Sequence, residues 1–255
     1  WSPFGQGVIL LLIQVGGMGV VTMAVAIFMF SGRKIGLKQR WVMQESISAP
    51  QVGGIVRMTG FILKTAFLIE AIGALLLALR FCPQFGLGKG IWYGIFHAVS
   101  AFCNAGFDLM GETGAFSSLT GYVGDPLVNL VICLLIVVGG LGFLTWHDVA
   151  AHGLPVSQYR LQSKLILLTT LALLVGGFLF FRFYEFSRPQ WAALTGGERG
   201  LAALFQSVSP RTAGFNTVDL TQLSACSQLM TILLMLAGGS PGSTAGGFKT
   251  TTLAV

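Results

Sequence analysis

The sequence predicts an all-α membrane protein built from same-sense repeats: a transmembrane helix, a re-entrant helix with its loop, and a second transmembrane helix. Three observations carry this. Of the 255 residues 54% are hydrophobic and 9% charged, and the mean hydropathy is +0.78, whereas a water-soluble domain carries about 25% charged residues. Val8 to Phe30, Thr59 to Leu79, Pro126 to Trp146 and Leu165 to Phe183 are apolar runs of about the ~20 residues that cross a hydrocarbon core as a helix. Finally, Phe96-His-Ala-Val-Ser100 recurs as Phe205-Gln-Ser-Val-Ser209, and each is followed by Ala-Gly-Phe, in Asn104 to Asp108 and in Thr212 to Asn216.

Taken in order, residues 1–58 hold the closing span of an incomplete first repeat and a connector. Residues 59–160 form a second repeat. Residues 161–255 form a third with a broken last helix, and a fourth repeat lies outside the sequence. The chain opens on Trp1 and stops at Val255 inside an apolar stretch, the pattern of a fragment. Closing spans share a second recurring element, Leu11-Leu-Ile-Gln-Val-Gly-Gly-Met-Gly19, Leu134-Leu-Ile-Val-Val-Gly-Gly-Leu-Gly142 and the looser Leu233-Leu-Met-Leu-Ala-Gly-Gly-Ser240. The Gly-Gly pairs of the first two suit close helix packing. Ile91 to Phe102 and Gly200 to Val208 are too short to cross, so each is expected to dip into the membrane and return.

Charge sets the topology and excludes other classes. Of fifteen basic residues, Arg33, Lys34, Lys38, Arg40 and Arg57 fall in one connector whose single acid is Glu45. That places 31–58 in the cytoplasm, with His147 to Lys164 on the same side, and leaves no need for a nucleic-acid partner. Basic residues at that face suit anionic membrane lipid. The four cysteines show no metal-ligand spacing, and His147 and His152, about 140° apart on a helix, share no face. No nucleophile, base and oxyanion-hole set occurs, so an enzyme is not expected and catalytic residues are none.

The repeated loops carry the chemistry. A potassium ion that sheds its water is coordinated most cheaply by backbone carbonyls on an extended loop. Asn104, Ala105, Gly106 and Phe107, with Thr212, Ala213, Gly214 and Phe215, meet that demand, glycine supplying the backbone freedom and the preceding short helices their negative ends. A single Ala-Gly-Phe would be a tight turn; two copies in one topological place indicate a filter. Arg211, just before the second loop, is expected to pair with Asp108 or Asp219. Glu70 lies mid-span with no nameable partner. Gly238, Gly239, Ser240, Pro241, Gly242, Ser243, Thr244, Ala245, Gly246 and Gly247 interrupt the last span, because five glycines and a proline cannot continue it. Lys249 follows, either near the path or snorkelling to the cytoplasmic face.

The repeated unit, Arg211-Thr-Ala-Gly-Phe-Asn216, Ile13-Gln-Val-Gly-Gly-Met-Gly19 and Gly238 to Thr251 together resemble the Ktr/Trk/HKT potassium transporter superfamily, most like its bacterial KtrB-type membrane subunit. The resemblance covers nearly the whole chain. It implies potassium uptake across the cell membrane through four filter strands, two of them centred on Gly106 and Gly214, with Gly238–Gly247 and Lys249 as an intramembrane gate. It implies a homodimer and a cytosolic nucleotide-binding subunit of the KtrA/TrkA type, no cofactor in this chain, and K+ as the transported ion. A sodium-permeable or sodium-coupled transporter of the same fold is the alternative, since a filter strand that bears on sodium is not in this sequence. A secondary transporter of another solute fits less well, because its repeats would be inverted.

Overall fold

The computed structural model describes residues 1–19, 41, 55–112, 114, 117–153 and 155–254. Arg33, Lys34, Lys38, Arg40 and Glu45 of the basic connector, and the end of the Val8 to Phe30 run, lie outside the described residues. Helix starts follow capping chemistry. The Ser2 hydroxyl accepts the Gly5 amide at 3.2 Å and Pro3 opens α1 (Pro3–Met18). α2 (Ile55–Phe85) is followed, after Gly86 at φ +81°, by α3 (Leu87–Phe102). Asp125 accepts the Val128 amide at 3.1 Å, and Pro126 begins α4 (Pro126–Gly140), which α5 (Phe143–His152) follows. α6 (Leu161–Phe180) ends in a π turn, Phe181–Glu185. A Thr195/Glu198 capping box opens α7 (Gly196–Val208), Ser224 caps α8 (Ala225–Leu236), and α9 (Thr250–Leu253) closes the described chain.

Val56–Phe85 and Leu161–Glu185, of 30 and 25 residues, are long and apolar enough to cross a membrane. Each is followed by a shorter helix that returns along it, α3 on α2 and α7 on α6. Small residues set the closeness of both pairings. A Cβ on Gly94 would stand 2.7 Å from the Ala74 carbonyl oxygen, and one on Gly177 would stand 2.6 Å from Ser207 Oγ. In lipid such contacts hold helices together, because apolar burial alone gives little driving force there. The larger apolar cluster surrounds α3 through Phe96, Phe102, Phe81, Leu77 and Ile132. A smaller one gathers Phe181, Phe186, Trp191 and Leu234 about the far end of α6.

The continuous span expected from Pro126 to Trp146 is instead broken: α4 and α5 meet at 97°. Gly142, at φ +88°, makes the turn. The freed backbone is satisfied from a distant segment, since the Phe143 amide donates to Gly242 O at 2.7 Å, Ser240 N to Gly140 O at 3.0 Å, and Thr244 N to Gly139 O at 3.2 Å. The break expected in the last span is present, α8 ending at Leu236 before irregular backbone as far as Lys249.

Candidate functional site

The repeated Phe-x-x-Val-Ser motif ends α3 and α7 in the same way. Ser100 Oγ donates to the Phe107 carbonyl at 2.7 Å, and Ser209 Oγ donates to the Phe215 carbonyl. The Ala105 amide bonds Ser100 O at 2.8 Å, and the Ala213 amide bonds Ser209 O at 3.0 Å. Each serine thus folds its Ala-Gly-Phe loop back onto the helix before it. The motif was visible in the sequence, but this task of its serines was not.

Asn104, Gly106, Thr212 and Gly214 have φ of +52°, +72°, +108° and +93°, values rarely adopted by side chains other than those of Asn and Asp. The two loops meet. Thr212 Oγ1 donates to Asn104 Oδ1 at 3.1 Å, and Ala213 O lies so close to Gly106 that a Cβ there would overlap it. Among the described residues, the carbonyls of Asn104, Ala105, Gly106, Thr212, Ala213 and Gly214 accept no hydrogen bond, whereas those of Phe107 and Phe215 are held by the serines. Phe215 is buried, its ring stacked 6.4 Å from that of His97. Phe107 is 43% exposed beside Trp1, so it anchors less than its counterpart. His97 pins the exit of the first loop: its Nε2 accepts the Leu109 amide at 3.3 Å while Nδ1 donates to Tyr93 O at 2.7 Å.

The Gly238–Gly247 segment lies against these loops. Thr244 Oγ1 donates to Phe102 O at 2.7 Å and receives Asn104 Nδ2 at 3.1 Å. Gly239 N bonds Gly246 O at 2.9 Å, and Thr250 N bonds Gly239 O at 3.1 Å, closing the segment on itself. Lys249 Nζ donates to Ala245 O at 3.0 Å, so its charge turns back onto the segment.

Arg211 corrects an expectation. It forms no pair with Asp108 or Asp219; it is nine-tenths buried and donates to Gly238 O at 3.3 Å. Those carboxylates are occupied locally, Asp108 accepting the Met110 amide at 2.9 Å and Asp219 the Thr221 amide at 3.0 Å. Hydrogen bonds from the Thr221 hydroxyl, the Thr221 amide and Gln222 Nε2 hold the Asp219 carboxyl below its ordinary pKa. Arg211 instead lines a cavity of about 10 Å³, the size of one water site, with Asn104, Val137, Thr170 and Gly239. At the start of α3 Lys89 pairs with Glu112 at 3.0 Å, which raises the lysine's pKa.

Two apolar helices of spanning length, each with a shorter helix returning along it, define a multi-pass membrane protein. The chain belongs to the TrkH family of cation transport proteins, whose model matches residues 2–154 and 160–255. It is 40% identical over its whole length to the potassium/sodium uptake protein NtpJ of Enterococcus hirae, covering 55% of that protein. It is 42% identical, again over all of this chain and 56% of the other, to the Ktr system potassium uptake protein B of Bacillus subtilis. The crystal structure of the potassium transporter TrkH from Vibrio parahaemolyticus superposes with a TM-score of 0.66 at 21% identity, over 95% of this chain and 45% of that one. The chain therefore spans about half the length of the relatives it matches.

Proposed function

We propose that this chain contributes half of the ion path of a potassium uptake protein of the cell membrane. Its filter ligands are carbonyls of Asn104, Ala105 and Gly106, with Thr212, Ala213 and Gly214, held in place by Phe107 and Phe215. The observation that carries this reading is the set of six carbonyls that, among the described residues, have no hydrogen-bond donor, on two touching loops. Carbonyls left unpaired at membrane depth are costly unless a cation or water binds them. α3 and α7 end at these loops, so their negative ends favour a cation there. The segment Gly238 to Gly247, with Lys249, acts beneath the filter as a gate, anchored through Thr244 and Arg211. The names of the relatives in Bacillus and Enterococcus support K+ as the cargo. The Enterococcus name also favours a second reading, in which Na+ permeates or is coupled.

The whole protein is proposed as a homodimer with its basic connector in the cytoplasm, in contact with a cytosolic nucleotide-binding regulatory subunit of the KtrA/TrkA type. Paired uptake of K+ and Na+ by the full-length protein tests the filter. Gly106→Ser is expected to abolish discrimination or flux, because both its positive φ and the overlap with Ala213 O exclude a side chain. Gly214→Ser is expected to lower K+/Na+ discrimination with less loss of flux, since a Cβ there meets nothing within 4 Å and only its φ is strained. Unchanged selectivity in both variants overturns the filter.

A further inference from the structure

Glu70 is a carboxylate at membrane depth to which the carbonyl filter assigns no task. It lies on α2 and is 4% exposed. Gln14 Nε2, from α1, donates to both of its oxygens at 3.1 Å. Cys103 Sγ lies 3.8 Å from Oε1, and Cys103 immediately precedes the filter loop. Gly17 makes this convergence possible: a Cβ on it would stand 2.5 Å from Cys103 Sγ, so α1 presses directly on the base of the loop. Among the described residues no lysine, arginine or histidine forms an ion pair with Glu70. One amide and one thiol are slight compensation for a carboxylate removed from water.

We propose that Glu70 is a positioning residue that sets the cation affinity of the path, a fixed negative charge behind the loop of Asn104 to Phe107 whose counter-charge is the cation held by that loop's carbonyls. The inference rests on reading those loops as the filter. Its position suits the task. A carboxylate placed behind the loop raises the occupancy of a cation there and leaves its direct coordination and exchange to the carbonyls. It also adds to the negative end of α3, which terminates at the same point.

The charge distinguishes one repeat from the next. By the repeated Leu-Leu-Ile and Ala-Gly-Phe elements, Gln14 corresponds to Val137 and Cys103 to Arg211. In that second node Val137, Thr170 and Arg211 line one small cavity, so a guanidinium and a hydroxyl stand where the first node has a thiol and a carboxylate. The field across the path is therefore lopsided, attractive behind the first loop and unfavourable behind the second.

Kinetics of K+ uptake by the full-length protein, in cells lacking other K+ uptake, supply the test. Glu70→Gln keeps the size of the side chain and an acceptor for Gln14 but removes the charge. It is expected to raise the K+ KM on the order of tenfold, the scale on which loss of one attractive unit charge near a cation acts in a protein interior, with Vmax per molecule within about twofold. Glu70→Asp is expected to recover most of the wild-type KM. An unshifted KM in Glu70→Gln, or folded protein without flux, overturns the proposal. KM does not depend on the amount of protein, so weak expression leaves the readout intact. Should Glu70→Gln yield no folded protein, Glu70→Asp decides: a KM near wild type supports a charge, and a KM raised tenfold with the carboxylate retained marks a packing role. Gly106→Ser run alongside separates the two failures, because altered selectivity there with an unshifted Glu70→Gln KM discards this inference alone.

Discussion

Thr244 joins parts of the molecule that lie far apart in sequence. Its hydroxyl donates to Phe102 O and accepts Asn104 Nδ2, and Asn104 Oδ1 accepts Thr212 Oγ1. One hydroxyl thus links the broken last span to both carbonyl loops. Thr244→Val removes the hydroxyl at constant volume and leaves Asn104 Nδ2 only its longer bonds to Phe102 O at 3.4 Å and Ile136 O at 3.3 Å, a cost of about 1 kcal/mol for each hydrogen bond lost. The expected result is a several-fold loss of K+/Na+ discrimination in paired uptake, restored by Thr244→Ser. Retained discrimination in the valine variant would show that the loops hold their geometry without this link. The Ala-Gly-Phe loops were legible as a candidate filter because a duplicated motif is a sequence property. The direction of Arg211 was not: it depends on which neighbour offers an acceptor, and Gly238 is 27 positions away.

Among the elements, the C-terminal end of α6 shows how a polar side chain organises helix ends. Glu185, in the π turn, is fully buried and accepts five hydrogen bonds, from Gln190 Nε2, Trp191 Nε1, the Ser224 amide and the hydroxyls of Ser224 and Ser227. It thereby fastens the start of α8 and the connecting turn onto α6. Charge-assisted bonds of this kind contribute about 1.5–3 kcal/mol each at most, and removing the acceptor leaves its buried donors unpaired. Glu185→Ala is expected to lower the thermal midpoint in detergent by several degrees and Glu185→Gln by less; a midpoint within one degree of wild type for the alanine variant would refute the fastening role. The aromatic run Phe180 to Phe186 hid this residue, since nothing local in sequence shows that two serines some forty positions on will face it. The kink at Gly142 was hidden in the same way, because Leu134 to Trp146 reads as an unbroken apolar run and the partners that satisfy its opened backbone lie near Gly242.

Across the molecule, the segment Gly238 to Gly247 proposed as the gate is less loose than its five glycines suggest. It is held on the kink between α4 and α5 by Phe143 N, Ser240 N and Thr244 N, and it is closed on itself by Gly239 N. Glycine serves close approach here as much as freedom, since a Cβ on Gly238 or Gly239 would overlap the segment's own backbone or Ala245. Opening such a unit means exchanging one bonded arrangement for another rather than bending a floppy strand. Deleting Gly242 to Gly246 from the full-length protein removes the acceptor for Phe143 N as well as Thr244. K+ flux is expected to rise and to become less responsive to the cytosolic regulator, measured as uptake with and without that subunit. A deletion variant that folds normally and leaves flux and regulation unchanged would make the segment packing rather than gate.

The sequence by itself determined the membrane class, the long helices α2 and α6, the short returning helices and the duplicated Ala-Gly-Phe loops. Each follows from composition, run length or local repetition, which act within a few turns of chain. The tertiary structure alone decided the kink at Gly142, the burial of Arg211 against Gly238, the meeting of Gln14, Glu70 and Cys103, and the seat of the Gly238–Gly247 segment. In a membrane interior every opened backbone group and every charge needs a partner. Those partners come from segments up to about a hundred and forty positions away, as Asn104 and Thr244 show, and no local pattern in the chain records which segments the fold brings together.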